Sequence, residues 1–213
     1  MTAVRPEPAV LAGRYIQLEP LREEHLPELH AAIAHPAVFA SGYGGGPAGL
    51  REDVDEFVSW GRTYYPWDQL PHAVRVLGGP NDGVLVGTSS LADIDLEGES
   101  IHLGWTAYDP RVWGTAVNAE AKLLLLERAF DHGFGRVHIQ ADAVNERSRA
   151  AIAGIGATFE GITRRHMLRA DGTWRDSAVF SVLIDEWPRV RAGLEARLER
   201  YEERPIEFRT DRE

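Results

Sequence analysis

The stretch that most constrains this chain is His102 to Ala121, HLGWTAYDPRVWGTAVNAEA. An extended run ends at the tight turn Asp109-Pro110, crosses a short loop and gives way to a helix. The helix is expected over Val117–Asp131, where Ala121, Leu124, Leu125 and Ala129 recur at helical spacing. Gly114 and Ala116 in the loop are small enough for a ligand to approach the backbone. The first N–H groups of a helix lack intrahelical partners and lie at the positive end of its dipole, so strand–loop–helix is a natural phosphate cradle. Arg111 adds positive charge at the mouth. By spacing alone the stretch is either such a cradle or an ordinary strand-to-helix connection.

Composition narrows the partners. A chain of 213 residues, 44% hydrophobic, fits one domain that buries its own core. The absence of cysteine removes a disulfide framework, a thiolate zinc site and a cysteine nucleophile. A net charge of -10 argues against nucleic acid held by its phosphates, while leaving room for a local basic pocket. Lys122 is the only lysine, so the positive charge is almost all arginine, which suits bidentate phosphate contacts. No apolar run is long enough to span a membrane, and MTAVRPEPAV lacks a signal-peptide pattern. A cytoplasmic protein without a membrane partner is expected.

Taken in order, Met1 to Ala12 reads as a loose leader, and Gly13 to Leu21 as a strand closed by Pro20. Arg22 to Ala34 reads as a helix, with Pro27 in its first turn. His25, His30 and His35 are spaced by five, which does not put neighbours on one helical face, so no metal site is expected there. Ser41 to Gly49, SGYGGGPAG, is either a linker or a mobile flap over an acceptor pocket. Leu50 to Tyr64 is a further helix. The aromatic cluster of Tyr64, Tyr65 and Trp67 is either core or the wall of a substrate pocket. His72–Leu77, Val84–Ile94 and Ile101–Tyr108 are strands joined by hairpin turns. After the central helix come a strand at Arg136–Ala143, a helix at Asn145–Ile155 capped by Asn145 and ended by Gly156, and strands at Thr158–Leu168 and Thr173–Leu183. Asp185 is expected to cap a last helix, Glu186 to about Tyr201, and the charged tail to Glu213 to fray.

This order resembles the GCN5-related N-acetyltransferase superfamily, and within it the ribosomal-protein N-terminal acetyltransferase-like branch. The superfamily's cofactor signature, Gln/Arg-x-x-Gly-x-Gly/Ala, is met by Arg111-Val112-Trp113-Gly114-Thr115-Ala116. Asn145 and Ser148 match an Asn-x-x-Ser block eleven residues before Gly156. The resemblance covers Gly13 to about Trp187. It implies an α+β fold: one domain with a mostly antiparallel sheet of about seven strands, helices on both faces, and a splay between Ile101–Tyr108 and Arg136–Ala143. It also implies acetyl-CoA as cosubstrate, without a metal. The pantetheine arm would bond backbone near Trp105, Thr106 and Ala107. The pyrophosphate would sit on the amides of Val112 to Ala116, Asn145 and Ser148 would face the pantetheine and thiol, and Arg147 and Arg149 would lie near the phosphates. The acceptor would be a small-molecule amine or a peptide N-terminus, bound between Ser41–Gly49 and Thr163–Arg175.

The chemistry of such a site is attack of a neutral amine on a thioester, which a general base and oxyanion donors assist. A backbone N–H near Trp105 could serve as such a donor. Where many relatives carry a glutamate, this chain has His102, and histidine titrates near neutrality. His102 is either that base or a partly buried strand residue. The tyrosine that relatives place four residues before the Gly156 position is Ile152 here, so that acid is missing, and Ser148 could orient the thiol or a water instead. A coenzyme A-binding module without catalysis is the alternative. C₂ dimers are the commonest soluble oligomers, so a homodimer is expected.

Overall fold

The computed structural model describes residues 2–40, 42–202 and 204–210. Its strands are β1 (Leu11–Ala12), β2 (Ile16–Pro20), β3 (Leu70–Val76), β4 (Leu85–Asp95), β5 (Ser100–Tyr108), β6 (Arg136–Asp142), β7 (Thr158–Leu168) and β8 (Trp174–Leu183). Its helices are α1 (Leu26–Ile33), α2 (Pro36–Ala40), α3 (Val54–Tyr64), α4 (Ala116–Asp131), α5 (Glu146–Gly154) and α6 (Trp187–Glu199). The strands form one open sheet in the order β1-β2-β3-β4-β5-β6-β8-β7. Every neighbouring pair is antiparallel except β5 and β6. The sheet separates two buried clusters. One packs α1, α2 and α3 on one face around Leu26, Phe39 and Phe57. The other packs α4, α5 and α6 on the opposite face around Leu125, Ile152 and Leu194.

The parallel pair decides where a ligand can enter. β5 and β6 are in register only at Ser100, Ile101 and His102, opposite Arg136, Val137 and His138. Beyond His102 they part. On its other edge β5 carries a bulge against β4, because Thr88 pairs with Ala107 but Ser90 pairs with Gly104. The bulge puts Trp105 at φ 48, a left-handed value that a non-glycine residue adopts only at a cost. A sheet that splits on one edge while bulging on the other leaves the β5 backbone facing the gap without a strand partner.

Two buried polar contacts fix α4 beneath the gap. Thr115 is its N-cap, its hydroxyl accepting the Val117 N–H. The buried Glu120 carboxylate accepts the backbone N–H groups of Arg14, Tyr15 and Ile16 at 2.7, 2.7 and 2.8 Å, tying α4 to the start of β2.

Several sequence expectations are corrected. There are eight strands rather than about seven, because the supposed leader adds β1, and Ala3 is buried with Val4 donating to the His132 carbonyl. β2 starts at Ile16 rather than Gly13 and ends at Pro20, as expected. The short helix α2 has no counterpart among the expected elements. α3 starts at Val54 rather than Leu50, because the Asp53 side chain accepts from the amides of Asp55 and Glu56 and sets the N-cap there. Asp185 does not cap α6, whose N-cap is Glu186 with no side-chain bond. The tail does not fray over its described residues: Ile206 is buried, Phe208 lies under the Arg111 guanidinium at 4.6 Å, and the Arg209 N–H donates to the Arg111 carbonyl. Ser41 and the residues after Thr210 lie outside the described residues.

Candidate active site

The gap between β5 and β6 opens into a cleft of about 340 Å³. Behind it, under the sheet, lies a smaller chamber of about 130 Å³. Trp105, Thr106, Asn118, Gln140 and Ser148 line both.

At one end stands the loop before α4. Pro110–Val112 forms a single 3-10 turn, set by the Asp109 carboxylate accepting the Arg111 N–H at 2.8 Å. The amides of Val112, Trp113 and Thr115 are used inside the turn, donating to the carbonyls of Asp109, Pro110 and Val112. Those of Gly114 and Ala116 have no partner among the described residues, so the cradle offers fewer free donors than the signature implies. Gly114 sits at φ 81, where a side chain would be strained. Arg111 does not stand free at the mouth. Its guanidinium is held by the buried Asp109 carboxylate, at 2.7 Å for the shortest contact, and is covered by Phe208.

Helix α5 supplies the next wall. The Asn145 side-chain Oδ1 accepts the Ser148 N–H at 2.9 Å, which starts the helix, and both residues line the cleft. Of the two arginines, Arg147 lines the cleft, with its guanidinium 3.6 Å from the Trp113 ring centroid. Arg149 turns away to the Ala143 carbonyl and the Phe159 ring. Ile152 is buried and lines the inner chamber.

The opposite end is aromatic. The Trp105 indole donates to the Tyr64 carbonyl at 3.1 Å, and Trp60 and Tyr64 stack with centroids 4.2 Å apart. Tyr43 and Tyr65 share a hydroxyl hydrogen bond of 2.7 Å. Burial pushes the Tyr64 phenol up to about 12 and raises those of Tyr43 and Tyr65 as well, so all three stay protonated. Gly42 and Tyr43 from the glycine-rich stretch line the cleft. That stretch is docked over its described residues: Gly45 accepts from Ala170 at the tip of the β7–β8 hairpin, and Gly44 donates to the Tyr64 hydroxyl. Positive φ at Gly42, Gly44, Gly45 and Gly46 permits its two short 3-10 turns, in a stretch expected to hold no regular structure.

His102 lies on the aromatic face of the sheet, outside the lining of both cavities. Its Nδ1 is 3.0 Å from an Asp93 carboxylate oxygen, and its ring stacks on His138 with centroids 4.6 Å apart and planes 6° off parallel. Its Nε2 is buried without a partner among the described residues, over the bare Cα of Gly104. The hydrogen bond from His102 holds the Asp93 carboxyl below its usual range, and burial pulls His138 down to about 4. Asp93, His102 and His138 each bring a donor atom within 4.8 Å of the others. Parallel imidazoles do not aim their in-plane lone pairs at one ion without a ring rotation, so the arrangement suits a carboxylate–imidazole dyad rather than a metal centre.

The family described as "Acetyltransferase (GNAT) domain" matches residues 16–158. The chain belongs to the GNAT acetyltransferase family. A GCN5-related N-acetyltransferase from Brucella melitensis superposes with a TM-score of 0.81 at 29% identity, over 100% of this chain and 93% of that one. A T. thermophilus protein described as an acetyltransferase is 33% identical with a TM-score of 0.78, over 92% of this chain and 100% of that one. RimJ from Mycobacterium smegmatis, solved with CoA-disulfide, shares the fold with a TM-score of 0.72 at 19% identity, over 91% of this chain and 97% of that one. No curated protein sequence matches. As a GNAT member the chain is an acyltransferase, and its open mixed sheet flanked by six helices is the GNAT fold.

Sequence reasoning missed two groups in this GNAT site. The first is Lys122, which the sequence marks only as the single lysine. It is buried in the inner chamber wall, donating to Thr106 at 2.8 Å and reaching Ser89 at 3.4 Å, and burial pulls it down to about 7. Its helical spacing with Leu125, Leu126 and Ala129 places it on the buried face of α4, but only the sheet's course shows what it meets. The second is Arg175, part of a strand that carries no signal of its own.

Proposed function

We propose that this acyltransferase moves the acetyl group of acetyl-CoA onto a primary amine, by direct attack with both substrates in one cleft. The observation that carries the reading is the splay after His102. It frees the β5 backbone at Trp105–Ala107 beside a loop whose Gly114 and Ala116 amides have no partner among the described residues. A chain of amides and a pyrophosphate fit that row of donors and acceptors. Gly114 and Ala116 with the first turn of α4 hold the phosphates, Arg147 neutralises them, and Asn145 and Ser148 flank the pantetheine. Acetyl-CoA brings an activated acetyl thioester. The amine enters from the aromatic end, between the glycine-rich stretch and the β7–β8 hairpin. Its class, a small molecule or an N-terminus as in the ribosomal-protein branch, follows from the sequence resemblance.

His102 is the proposed base. Asp93 fixes its Nδ1 as the donor, leaving Nε2 as the acceptor, and a proton leaving the cleft has to pass Trp105 to reach it. With Ile152 in place of a tyrosine, Lys122 offers a second route. An ammonium with a pKa near 7, hydrogen-bonded to Thr106 in the chamber that Ser148 also lines, is matched to reprotonating a thiolate of ordinary thiol pKa about 8.5. A cytoplasmic homodimer is part of the proposal. Exposed Ile162, Met167, Leu168 and Trp174 on the β7–β8 hairpin support self-association, and sedimentation giving a monomer at micromolar concentration would reject it.

The test is release of free thiol from acetyl-CoA across a panel of amines, with calorimetric titration of acetyl-CoA alongside. Acetyl-CoA binding with amine-dependent thiol release supports the reading. Failure of acetyl-CoA to bind the folded protein would sink it.

A further inference from the structure

Four half-buried arginines of this protein are each held by a carboxylate. Arg75 is bound by Glu19 and Glu28, Arg111 by Asp109, Arg136 by Glu160 and Arg169 by Asp142. Arg175, on the cleft, has no such ion pair among the described residues. It enters from the start of β8, lines the cleft opposite the loop, and is half-buried. Its Nε is fully shielded and has no hydrogen-bond partner, and no carboxylate among the described residues forms an ion pair with it. The nearest candidate is spoken for: the Asp142 carboxylate takes two Arg169 N–H groups through one oxygen, at 2.7 and 3.1 Å, and the Val144 amide through the other. The neighbouring Tyr64 hydroxyl is a protonated phenol that accepts from Gly44.

A guanidinium taken partly out of water without an anion costs free energy in the unliganded protein. Burial indeed disfavours its charged form. The surroundings relieve it only in part, because the attraction of Asp142 is opposed by the neighbouring Arg169. From Thr163 to Arg175 the hairpin carries four arginines against one aspartate, in a chain whose net charge is -10. Arg175 meets the cleft beside the aromatic walls Tyr43, Tyr64 and Trp105 with a shielded Nε that has no partner among the described residues.

Resting on the acetyl-transfer reading, we infer that the acceptor is a small amine that also carries an anionic group, a carboxylate or phosphate, and that the Arg175 guanidinium receives this group while the tyrosines and Trp105 enclose the carbon skeleton. The planar fork of arginine matches either oxyanion in a bidentate way. Holding the anion at β8 fixes one end of the acceptor and leaves its amine to point along the cleft toward Ser148 and the loop.

The experiment uses benzoate, phenyl phosphate and the neutral benzamide as probes, titrated by ligand-observed NMR into the whole protein with and without coenzyme A. The expected result is that at least one anion binds about tenfold or more tighter than benzamide, a difference of about 1.4 kcal/mol. The benzoate and phenyl phosphate arms tell the two anions apart. In Arg175→Met the preference for the anion disappears, and in Arg175→Lys part of it returns because the charge remains without the fork. The melting temperature of Arg175→Met stays at or above that of the wild type, since an unmatched charge is removed, whereas benzoate or phenyl phosphate raises the melting temperature of the wild type only. Equal binding of anion and amide, absence of anion binding, or an anion preference that survives Arg175→Met would overturn the inference. Acetyl-CoA titration on the same samples is independent: its failure strikes the acetyl-transfer reading, while the coenzyme-free NMR arm still reports on Arg175.

Discussion

At the loop end of the cleft, between β5 and α4, the groups on offer to a ligand are mainly backbone: two free amides, a helix start, and a strand edge left open by the splay. At the aromatic end they are side chains from elements far apart in the chain: Tyr43, Tyr64, Trp105 and Arg175. The first kind of site is set by backbone conformation and tolerates many side chains outside its glycine. The second depends on each named side chain and on what holds it. A family can therefore keep one end and vary the other, which is what a shared acyl donor with changing acceptors requires.

Mutations sharpen this contrast, beginning with the largest expected effect. His102→Ala should lower turnover about 10²-fold, the lower part of the range for a lost general base, with little change in acetyl-CoA affinity. Near-native turnover in a well-folded variant would remove the imidazole from the mechanism. A fall in melting temperature with unchanged specific activity would assign it a packing role instead.

Gly114→Val addresses the loop end. A β-branched residue at φ 81 is strained by about 1–2 kcal/mol, so acetyl-CoA should bind about tenfold weaker or worse by calorimetry. The anion preference at Arg175 should be untouched. Unchanged acetyl-CoA affinity would break the assignment of this loop as the cradle.

Lys122 lies between the two ends, and its test is pH. Its folded pKa of about 7 is below the ordinary lysine value of 10.5, so between these values the unfolded chain binds the extra proton and stability rises with pH. Below pH 7 both states are protonated and the full cost of the buried charge is present. Lys122→Met should therefore stabilise the protein by about 1–2 kcal/mol near pH 6, after the lost bonds to Thr106 and Ser89 are discounted, and the gain should shrink toward pH 10. Denaturant melts at several pH values check this; a pH-independent difference would show that burial does not perturb the lysine.

The smallest effect belongs to His138. Held near 4 by burial, it is neutral in the fold while the unfolded chain takes a proton below about 6.5. Stability is lost as pH falls through that window. His138→Gln should flatten the acid limb of melting temperature against pH between about 6.5 and 4, and an unaltered slope would put the acid sensitivity elsewhere.

How far the sequence can be read follows the same division. The loop, the N-cap of α5 at Asn145 and its stop at Gly156 are legible, because each rests on residues within a turn of one another. Even there the signature overstates the count of free amides, since the turn's own carbonyls, of Asp109, Pro110 and Val112, accept three of them. Arg149 and Arg147 cannot be told apart by sequence. Two residues of helical rotation separate them, and which one reaches the cleft depends on where the Trp113 ring lies. The charge of the tail suggests solvation, whereas Ile206 and Phe208 find partners around Asn81 and Arg111, far back in the chain.

The sequence by itself determined the order of the main strands and helices, the glycine that lets the loop turn, and the cap and stop of α5, because periodicity, caps and left-handed turns are local properties of the chain. Only the tertiary structure decided that Lys122 is stripped of water, that His102 meets Asp93 and stacks on His138, and that Arg175 forms no ion pair among the described residues while Asp142 is bound by Arg169. These are properties of pairs brought together from different strands. The energy of a charge depends on what surrounds it in space, which sequence spacing does not encode.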